Sequence, residues 1–221
     1  PKDACACCVR GSAHAVSVRP FRYTTGLMET IARARLKWLL DPAVAIAVRL
    51  KLSPNFVTVL GFLLNVAAGV LIGFGYVVPG GLVMTFIAMP LDAVDGGLAR
   101  ATGRQTRFGA FADSVLDRFA EGALLAGLAA LFAQRGDLLM ILASFVALNG
   151  SFMVSYTRAR AEGLGIECKV GIFSRFGRYL VLAVGLCFNL PEITVAALAV
   201  LTNITAIQRI VHVQKQLKTA P

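Results

Sequence analysis

The chain has 221 residues; 57% are apolar, only 15% are charged, and its mean hydropathy is +0.72. Soluble domains usually contain about a quarter charged residues, so this composition excludes a disordered chain, a collagen-like repeat and an ordinary soluble domain. The net charge of +10 favours a negatively charged partner, and with so much apolar sequence we expect membrane lipids rather than nucleic acid.

The N-terminal fifty residues divide into two segments of different character. Residues 1–25 are polar and mixed, and we expect a loosely ordered tail; its cysteines have no second ligand pair at zinc spacing, so reduced thiols are favoured over a metal site. In residues 26–50, apolar side chains recur at helical spacing from Leu27 to Trp38, with charged side chains on the other side. This pattern predicts an amphipathic helix that lies in the membrane interface.

Six apolar segments follow, and each is long enough to cross a membrane. Gly-Pro or charged breaks separate them, and they cover roughly 55–76, 80–103, 108–134, 137–161, 172–190 and 192–214. The sequence therefore predicts an all-α integral membrane protein with one six-helix domain over residues 51–214 and a short C-terminal tail over residues 215–221.

Basic residues are distributed very unevenly among the segments that connect these spans. The N-terminal region, the second and fourth connections with their flanking helix ends, and the C-terminus contain all of the 22 Lys and Arg residues except Arg135. Cytoplasmic segments of membrane proteins carry such an excess of Lys and Arg. We therefore expect an even number of spans in the cell membrane, with both termini and both basic connections in the cytoplasm.

Four aspartates interrupt the second and third spans near their predicted cytoplasmic ends. Carboxylates inside membrane helices are costly and usually functional. Asp92 and Asp95 share one face of the second span, and Asp113 and Asp117 share one face of the third. A short basic connection makes the two spans antiparallel neighbours, so we expect the four carboxylates to converge near the cytoplasmic interface.

Converging carboxylates repel one another unless cations neutralise them. Carboxylate oxygens are preferred ligands of Mg²⁺ and Mn²⁺, and two metal ions suit four carboxylates and displacement at phosphorus. Gly96 and Gly109 leave room for a ligand beside the acids, and Arg100 can pair with a phosphate. The sequence thus predicts a site for two Mg²⁺ or Mn²⁺ ions and a phosphate-containing substrate.

The acidic segment resembles the signature of the CDP-alcohol phosphotransferase family, D-x2-D-G-x2-A-R-x8-G-x3-D-x3-D. It reads DAVDGGLAR from Asp92 to Arg100 and GAFADSVLD from Gly109 to Asp117, so every fixed position of the signature is present. The resemblance implies that a hydroxyl of an acceptor alcohol attacks the β-phosphorus of a CDP-linked donor, usually CDP-diacylglycerol, and that CMP leaves. It also implies a homodimer.

The same resemblance implies roles for individual residues. Asp92, Asp95 and Asp113 are metal ligands, and Asp117 is both a metal ligand and the general base. The positions implied to bind the CDP group of the donor are Asn55, Phe56, Val57, Thr58, Gly96, Ala99, Arg100, Thr106 and Gly109.

Five basic residues in and after the fourth connection are candidates for binding a second anion: Arg158, Arg160, Lys169, Arg175 and Arg178. They are either membrane-surface charge or a pocket for a phosphate on the acceptor. The run R-A-R-A-E-G-L-G and the following R-x2-R resemble the phosphatidylinositol-phosphate synthase branch, which implies inositol 1-phosphate as acceptor. Glycerol 3-phosphate is the second candidate, although a Lys-rich G-K-x-K-T run is absent, and L-serine is the third; CDP-inositol is an alternative donor.

Two other functional classes also place acids in membrane helices. Membrane prenyltransferases use two Asp-rich helical motifs with Mg²⁺, but their first motif normally contains Asn-Asp and they have more spans. A cation transporter is expected to have inverted repeats and acids near the bilayer midplane. The Gly-x2-Ala-Arg element, and acids displaced toward the basic side, favour the phosphotransferase over both.

Overall fold

The computed structural model describes residues 41–219, with the backbone alone for Thr219, and within this range every regular element is helical. The elements are a helix over residues 41–49 (α1), α2 (Pro54–Gly73), α3 (Val77–Val83), a π-helical turn (Met84–Ala88), α4 (Met89–Ala101), α5 (Arg107–Gln134), α6 (Leu138–Gly163), α7 (Arg175–Cys187) and α8 (Pro191–Thr219). The predicted tail and most of the predicted interfacial helix over residues 26–50 lie outside the described residues.

All six apolar segments coincide with helices, and the differences lie at their ends. The helix α7 begins at Arg175 rather than near residue 172, because Gly171 has a φ of 122° and Ser174 is extended, which keeps the preceding residues out of the helix. The helix α8 continues through Thr219, past residue 214 where the last span was expected to end.

Four helical segments are long and apolar enough to cross a membrane: Pro54–Gly73, Val77–Ala101, Leu138–Gly163 and Pro191–Lys218. The helix α7 has 13 residues and therefore measures about 20 Å, less than the roughly 30 Å of a bilayer core. The helix α5 has 28 residues, but its first half contains several charged side chains. The described residues therefore give an all-helical protein with four candidate spans, and the count of six stays a prediction.

The second candidate span contains a π-helical turn directly before the first aspartates. Within it, the N–H of Met89 donates to the carbonyl of Met84, one residue further back than in an α-helix. Pro90 follows; a proline lacks an N–H and its ring crowds the preceding turn, which the wider π turn accommodates. The extra residue also rotates α4 relative to α3, and so sets the direction of Asp92 and Asp95.

The core lies between the central helix α5 and the helices around it. Leu124, Leu128 and Phe132 of α5 are buried together with Leu182 of α7 and Leu198 of α8. The helix α5 packs along α2 and α6, α6 packs along α8, and α7 packs against α3 and α8. This arrangement holds α5 in the middle of the bundle, with the aspartates at its N-terminal end.

Small residues allow α2 and α5 to approach very closely. A Cβ atom on Gly127 of α5 would lie 2.1 Å from the carbonyl oxygen of Gly69 on α2, and a Cβ atom on Gly69 would lie 2.4 Å from the carbonyl oxygen of Ala123. Helices packed in membranes use small residues in this way because close backbone approach increases van der Waals contact. The contact fixes the separation of the two helices that form the cleft described below.

Replacing Gly127 with alanine is expected to lower the stability of the protein by about 1–3 kcal/mol, because the new methyl group meets backbone that cannot rotate away. Gly122→Ala on the same helix is the matched control, since its Cβ atom would lie 3.7 Å from its nearest neighbours. Thermal unfolding of both purified variants in detergent measures the difference. Equal melting temperatures would contradict the close approach of α2 and α5.

Candidate active site

Asp92 and Asp95 of α4 and Asp113 of α5 form a cluster of carboxylates. One oxygen atom from each lies within 4.8 Å of the other two. Asp95 is only 7% exposed, and the hydroxyl of Thr58 on α2 donates a hydrogen bond of 2.5 Å to its Oδ2 atom. Three helices therefore determine the cluster: α4 and α5 supply the acids, and α2 orients the most buried of the three.

The fourth aspartate of the signature, Asp117, is paired with an arginine. Asp117 is 6% exposed and accepts a hydrogen bond from Nη2 of Arg175, the first residue of α7. The same nitrogen lies 2.9 and 3.2 Å from the two carboxylate oxygens of Asp92. Arg175 also lies over the ring of Tyr179, with its Cζ atom 5.8 Å from the ring centroid. A guanidinium group thus bridges α4 and α5 beside the carboxylate cluster.

The donor set in this cleft suits a hard divalent cation. Oxygen ligands on opposite sides of a Mg²⁺ ion are about 4.2 Å apart, close to the spread of the three carboxylate oxygens. Asn65 of α2 lines the same cleft as Asp92, Asp113 and Asp117, and its buried Oδ1 atom accepts no hydrogen bond from residues 41–219. Carboxylate and amide oxygens are the ligands that such ions prefer, so the residues present fit a divalent metal.

The residues predicted to bind the donor divide into two groups, and the first lies beside the carboxylates. Thr58 bonds to Asp95, as described above. Thr106 caps α5 by accepting a hydrogen bond of 2.9 Å from the N–H of Gly109. The Oδ1 atom of exposed Asn55 lies 3.7 Å from where a Cβ atom of Gly109 would be. The starts of α2 and α5 therefore meet at Gly109, with open polar groups around it.

The second group lies on α4 and at the start of α2. The guanidinium of Arg100 lies over Gly96, 3.5 Å from the position of a Cβ atom there, and Arg100 is exposed. Ala99 beside it is half-buried, and Phe56 is exposed. Val57 is buried in a small core between α1, α2 and α4. Its side chain therefore has a packing role at this position.

The structure separates the five basic residues predicted to bind the acceptor. Arg175 contacts Asp92 and Asp117, whereas Arg178, one turn later on α7, is 1% exposed and donates from Nε to Glu121 at 2.7 Å. The Nη1 atom of Arg178 is buried and has no hydrogen-bond partner in the described part of the chain. Only Arg175 of this pair reaches the carboxylate cleft directly.

The other three basic residues lie further from the carboxylates. Arg158 forms an ion pair of 2.8 Å with Glu162 one turn away on α6, and Arg160 is exposed near the end of that helix. Lys169 pairs with Glu167 and lines a separate groove against α8. None of these three residues lines the cleft that contains Asp92, Asp113 and Asp117.

A buried charged network under the cleft was not expected from the sequence. Glu121, 1% exposed, accepts hydrogen bonds from Arg118 (3.0 Å), from Arg178 (2.7 Å) and from the hydroxyl of Ser151 on α6. Arg118 also donates to Ser155 of α6 at 2.7 Å. The sequence does contain a signal for this network, because Glu121 lies one turn beyond Asp117 on the same helix face.

Similarity to known proteins extends over the part of the chain that forms the cleft. The model of the CDP-alcohol phosphatidyltransferase family matches residues 51–211, which include the whole cleft. The chain belongs to the CDP-alcohol phosphatidyltransferase family. Membership makes it a phosphotransferase that uses a CDP-linked donor, and the matched range includes the aspartates of α4 and α5.

Curated relatives of this family are similar over most of their length. The chain is 35% identical to archaetidylinositol phosphate synthase of Methanothermobacter thermautotrophicus, over 84% of this chain and 94% of that protein. It is 36% identical to phosphatidylinositol phosphate synthase of Streptomyces avermitilis, over 86% of this chain and 84% of the relative.

A solved structure of the family has the same fold. Phosphatidylinositol phosphate synthase of Mycobacterium tuberculosis with CDP-DAG bound superposes with a TM-score of 0.73 at 31% identity, covering 79% of this chain and 92% of that one. Its complex with manganese and citrate gives a TM-score of 0.72 at 30% identity, covering 79% and 88%. The manganese in that relative and the three clustered aspartates here both indicate divalent metal binding.

Replacing Thr58 with valine is expected to weaken Mn²⁺ binding about tenfold, because Asp95 loses a hydrogen bond to its charged carboxylate. Thr58→Ser keeps the hydroxyl and is the matched control. Isothermal titration of each purified protein with Mn²⁺, without substrates, measures the affinity. If valine and serine variants bound Mn²⁺ equally well, the hydroxyl would have no part in orienting Asp95.

Proposed function

We propose that this enzyme transfers a phosphatidyl group from CDP-diacylglycerol to inositol 1-phosphate and releases CMP. The hydroxyl oxygen of the acceptor bonds to the β-phosphorus of the donor, and the bond from that phosphorus to the oxygen of CMP breaks. The hydroxyl proton passes to the carboxylate of Asp117. Atoms and charge balance: the α-phosphate stays on the cytidine and leaves as CMP, and the β-phosphate becomes the phosphodiester between diacylglycerol and the acceptor.

The observation that carries this proposal is the convergence of the signature aspartates in one cleft with a guanidinium beside them. Asp92, Asp95 and Asp113 present oxygens within 4.8 Å of one another, and Asp117 lines the same cleft. We infer that the four aspartates hold two Mg²⁺ or Mn²⁺ ions, which when bound offset the negative charge of the diphosphate and polarise its phosphorus.

The proposed donor site lies where the starts of α2 and α5 meet. Asn55, Thr106 and Gly109 lie together there, and Arg100 covers Gly96 on the adjoining helix. The absence of a side chain at Gly109 leaves room for an anion to approach the start of α5, where the helix dipole favours negative charge. The related structure with CDP-DAG bound supports the same donor for this chain.

The proposed acceptor rests on the relatives and on Arg175. The two curated relatives described above differ in the lipid part of their names and share the inositol phosphate part. Arg175 can hold a phosphate with two parallel hydrogen bonds. Since its guanidinium is bonded to Asp117, an acceptor phosphate that attracts Arg175 also uncovers the carboxylate that takes the hydroxyl proton.

An acceptor panel tests the proposed reaction. Purified enzyme with labelled CDP-diacylglycerol and Mg²⁺ is expected to release CMP rapidly with inositol 1-phosphate, and at least tenfold more slowly with glycerol 3-phosphate or L-serine. Asp117→Asn keeps the size of the side chain but cannot accept the proton, so we expect a loss of about 10²–10⁴-fold in kcat. Faster turnover with glycerol 3-phosphate would reject the inositol assignment.

The same assay shows which of the five basic residues binds the acceptor phosphate. A positively charged side chain that binds the acceptor phosphate should, when replaced by alanine, raise the acceptor KM about tenfold or more with little change in the donor KM. We expect this of Arg175 and include Arg158, Arg160, Lys169 and Arg178 in the series. Arg178→Ala should instead lower stability, because it removes one of the two arginines that compensate the buried charge of Glu121.

We further propose six spans with both termini in the cytoplasm, and a homodimer as in the family. Short turns connect α5 to α6 and α7 to α8, so these neighbours are antiparallel, and α5 and α7 pack between the four candidate spans. Arg135, ion-paired with Glu192, would then lie on the outer side. A cysteine at position 135, in a chain whose native cysteines are serine, should react with an impermeant reagent from outside the cell; labelling only from inside would reverse the topology.

A further inference from the structure

A buried amide on α2 lies next to the carboxylates of the cleft. Asn65 is only 5% exposed and belongs to Pro54–Gly73, one of the candidate membrane spans. Polar side chains inside membrane helices are costly and usually have a function. Asn65 lies outside the signature segment, which begins at Asp92, so its contacts have to indicate what that function is.

One hydrogen bond fixes the orientation of this amide. The Nδ2 atom of Asn65 donates to the carbonyl of Gly61, one turn earlier on α2, at 3.0 Å. A carbonyl oxygen only accepts hydrogen bonds, so the nitrogen and not the oxygen of the amide faces Gly61. The Oδ1 atom therefore points away from that carbonyl. It is buried, and within the described range of the chain nothing donates a hydrogen bond to it.

Asn65 and several of the signature aspartates line one small cavity. Its volume is about 10 Å³, and its wall includes Thr58 of α2, Asp92 of α4, and Asp113 and Asp117 of α5. A cavity of this size holds about one water molecule. The space between the amide and the carboxylates therefore suits a water molecule and leaves no room for a sugar or a lipid headgroup.

The polar groups around the cavity determine how a water molecule would be held there. The carboxylates and the Oδ1 atom of Asn65 all accept hydrogen bonds. The two side-chain donors in the wall donate elsewhere, because the hydroxyl of Thr58 bonds to Asp95 and the Nδ2 atom of Asn65 bonds to Gly61. A water molecule in this cavity therefore donates one hydrogen to the amide oxygen and the other to a carboxylate, which leaves its oxygen for a cation. A Mg²⁺ ion in a protein usually keeps several such waters.

We propose that Asn65 is a positioning residue of the metal site. Its Oδ1 atom accepts a hydrogen bond from a water molecule bound to the divalent ion that Asp92 and Asp113 hold, and the amide thereby orients that water. Groups that orient the ligands of a metal commonly contribute about 10–100-fold to its affinity. The inference rests on the metal binding proposed above for the aspartates and is independent of the identity of the acceptor alcohol.

Two substitutions at Asn65 separate this role from packing. Asn65→Thr removes the amide oxygen but can keep the bond to Gly61, because the hydroxyls of Thr102 and Thr202 bond to the carbonyl four residues earlier in the same way. Asn65→Asp keeps an oxygen toward the cavity but cannot donate to Gly61. We therefore expect Asn65→Thr to raise the Kd for Mn²⁺ about tenfold or more, and Asn65→Asp to bind Mn²⁺ at least as tightly as the wild type. Stability without metal should follow the opposite order, with Asn65→Asp the less stable variant.

Isothermal titration of the purified proteins with Mn²⁺ in detergent, without substrates, measures the affinity, and thermal unfolding without metal measures the stability. Asn203→Thr is the matched control and should leave the Kd unchanged. Asn203 of α8 also donates to the carbonyl four residues earlier, at 2.8 Å, and it does not line the cavity.

The outcomes distinguish the role of Asn65 from the metal site itself. Wild-type affinity for Mn²⁺ in Asn65→Thr would overturn the role of Asn65 and leave the aspartate site intact. An equal loss of affinity in Asn65→Thr and Asn65→Asp would do the same, because it would assign the amide a packing role. Failure of the wild-type protein to bind Mn²⁺ would instead reject the proposed metal site and this role together.

Discussion

The rest of this structure depends on holding several carboxylates together inside a helical bundle. Negative charges in such a place repel one another and lose hydration, so they persist only where cations and donors contact them. Arg175 supplies a cation by bridging Asp92 and Asp117, and Thr58 supplies a donor to Asp95. The site therefore requires α2, α4, α5 and α7 to meet at one point, which the close approach of Gly69 and Gly127 makes possible for α2 and α5.

A second group of charged residues, Glu121 with Arg118 and Arg178, lies next to the carboxylates of the cleft. Glu121 lies one turn below Asp117 and ties α5 to α6 through Ser151 and to α7 through Arg178. Removing one partner of a buried pair is strongly destabilising because it leaves the other charge without compensation. The contacts of Asp117 and Glu121 thus fix the rotation of α5 and the position of the start of α7 beside it. Through Arg175, the packing of these helices is connected to the chemistry of the cleft.

The segment between α6 and α7 contributes basic residues to two different places in the structure. At its end, Arg175 enters the cleft of aspartates, where two substrates with phosphate groups would meet the proposed metal ions. Near its middle, Lys169 pairs with Glu167 and lines a groove on α8.

The sequence by itself determined the helices, the aspartates and the family. Helical periodicity and segment length are local properties, and the signature from Asp92 to Asp117 lies within one pair of adjacent helices. Tertiary structure alone decided which basic residue reaches the acids. Arg175 and Asp117 are separated by 58 positions, and Arg178 and Glu121 by 57, so no local spacing relates them. Packing of α7 against the bundle brought Arg175 into the cleft and buried Arg178 beside Glu121, while Lys169 stayed in the connecting segment next to α8, because each guanidinium or ammonium group follows the helix or loop that holds it.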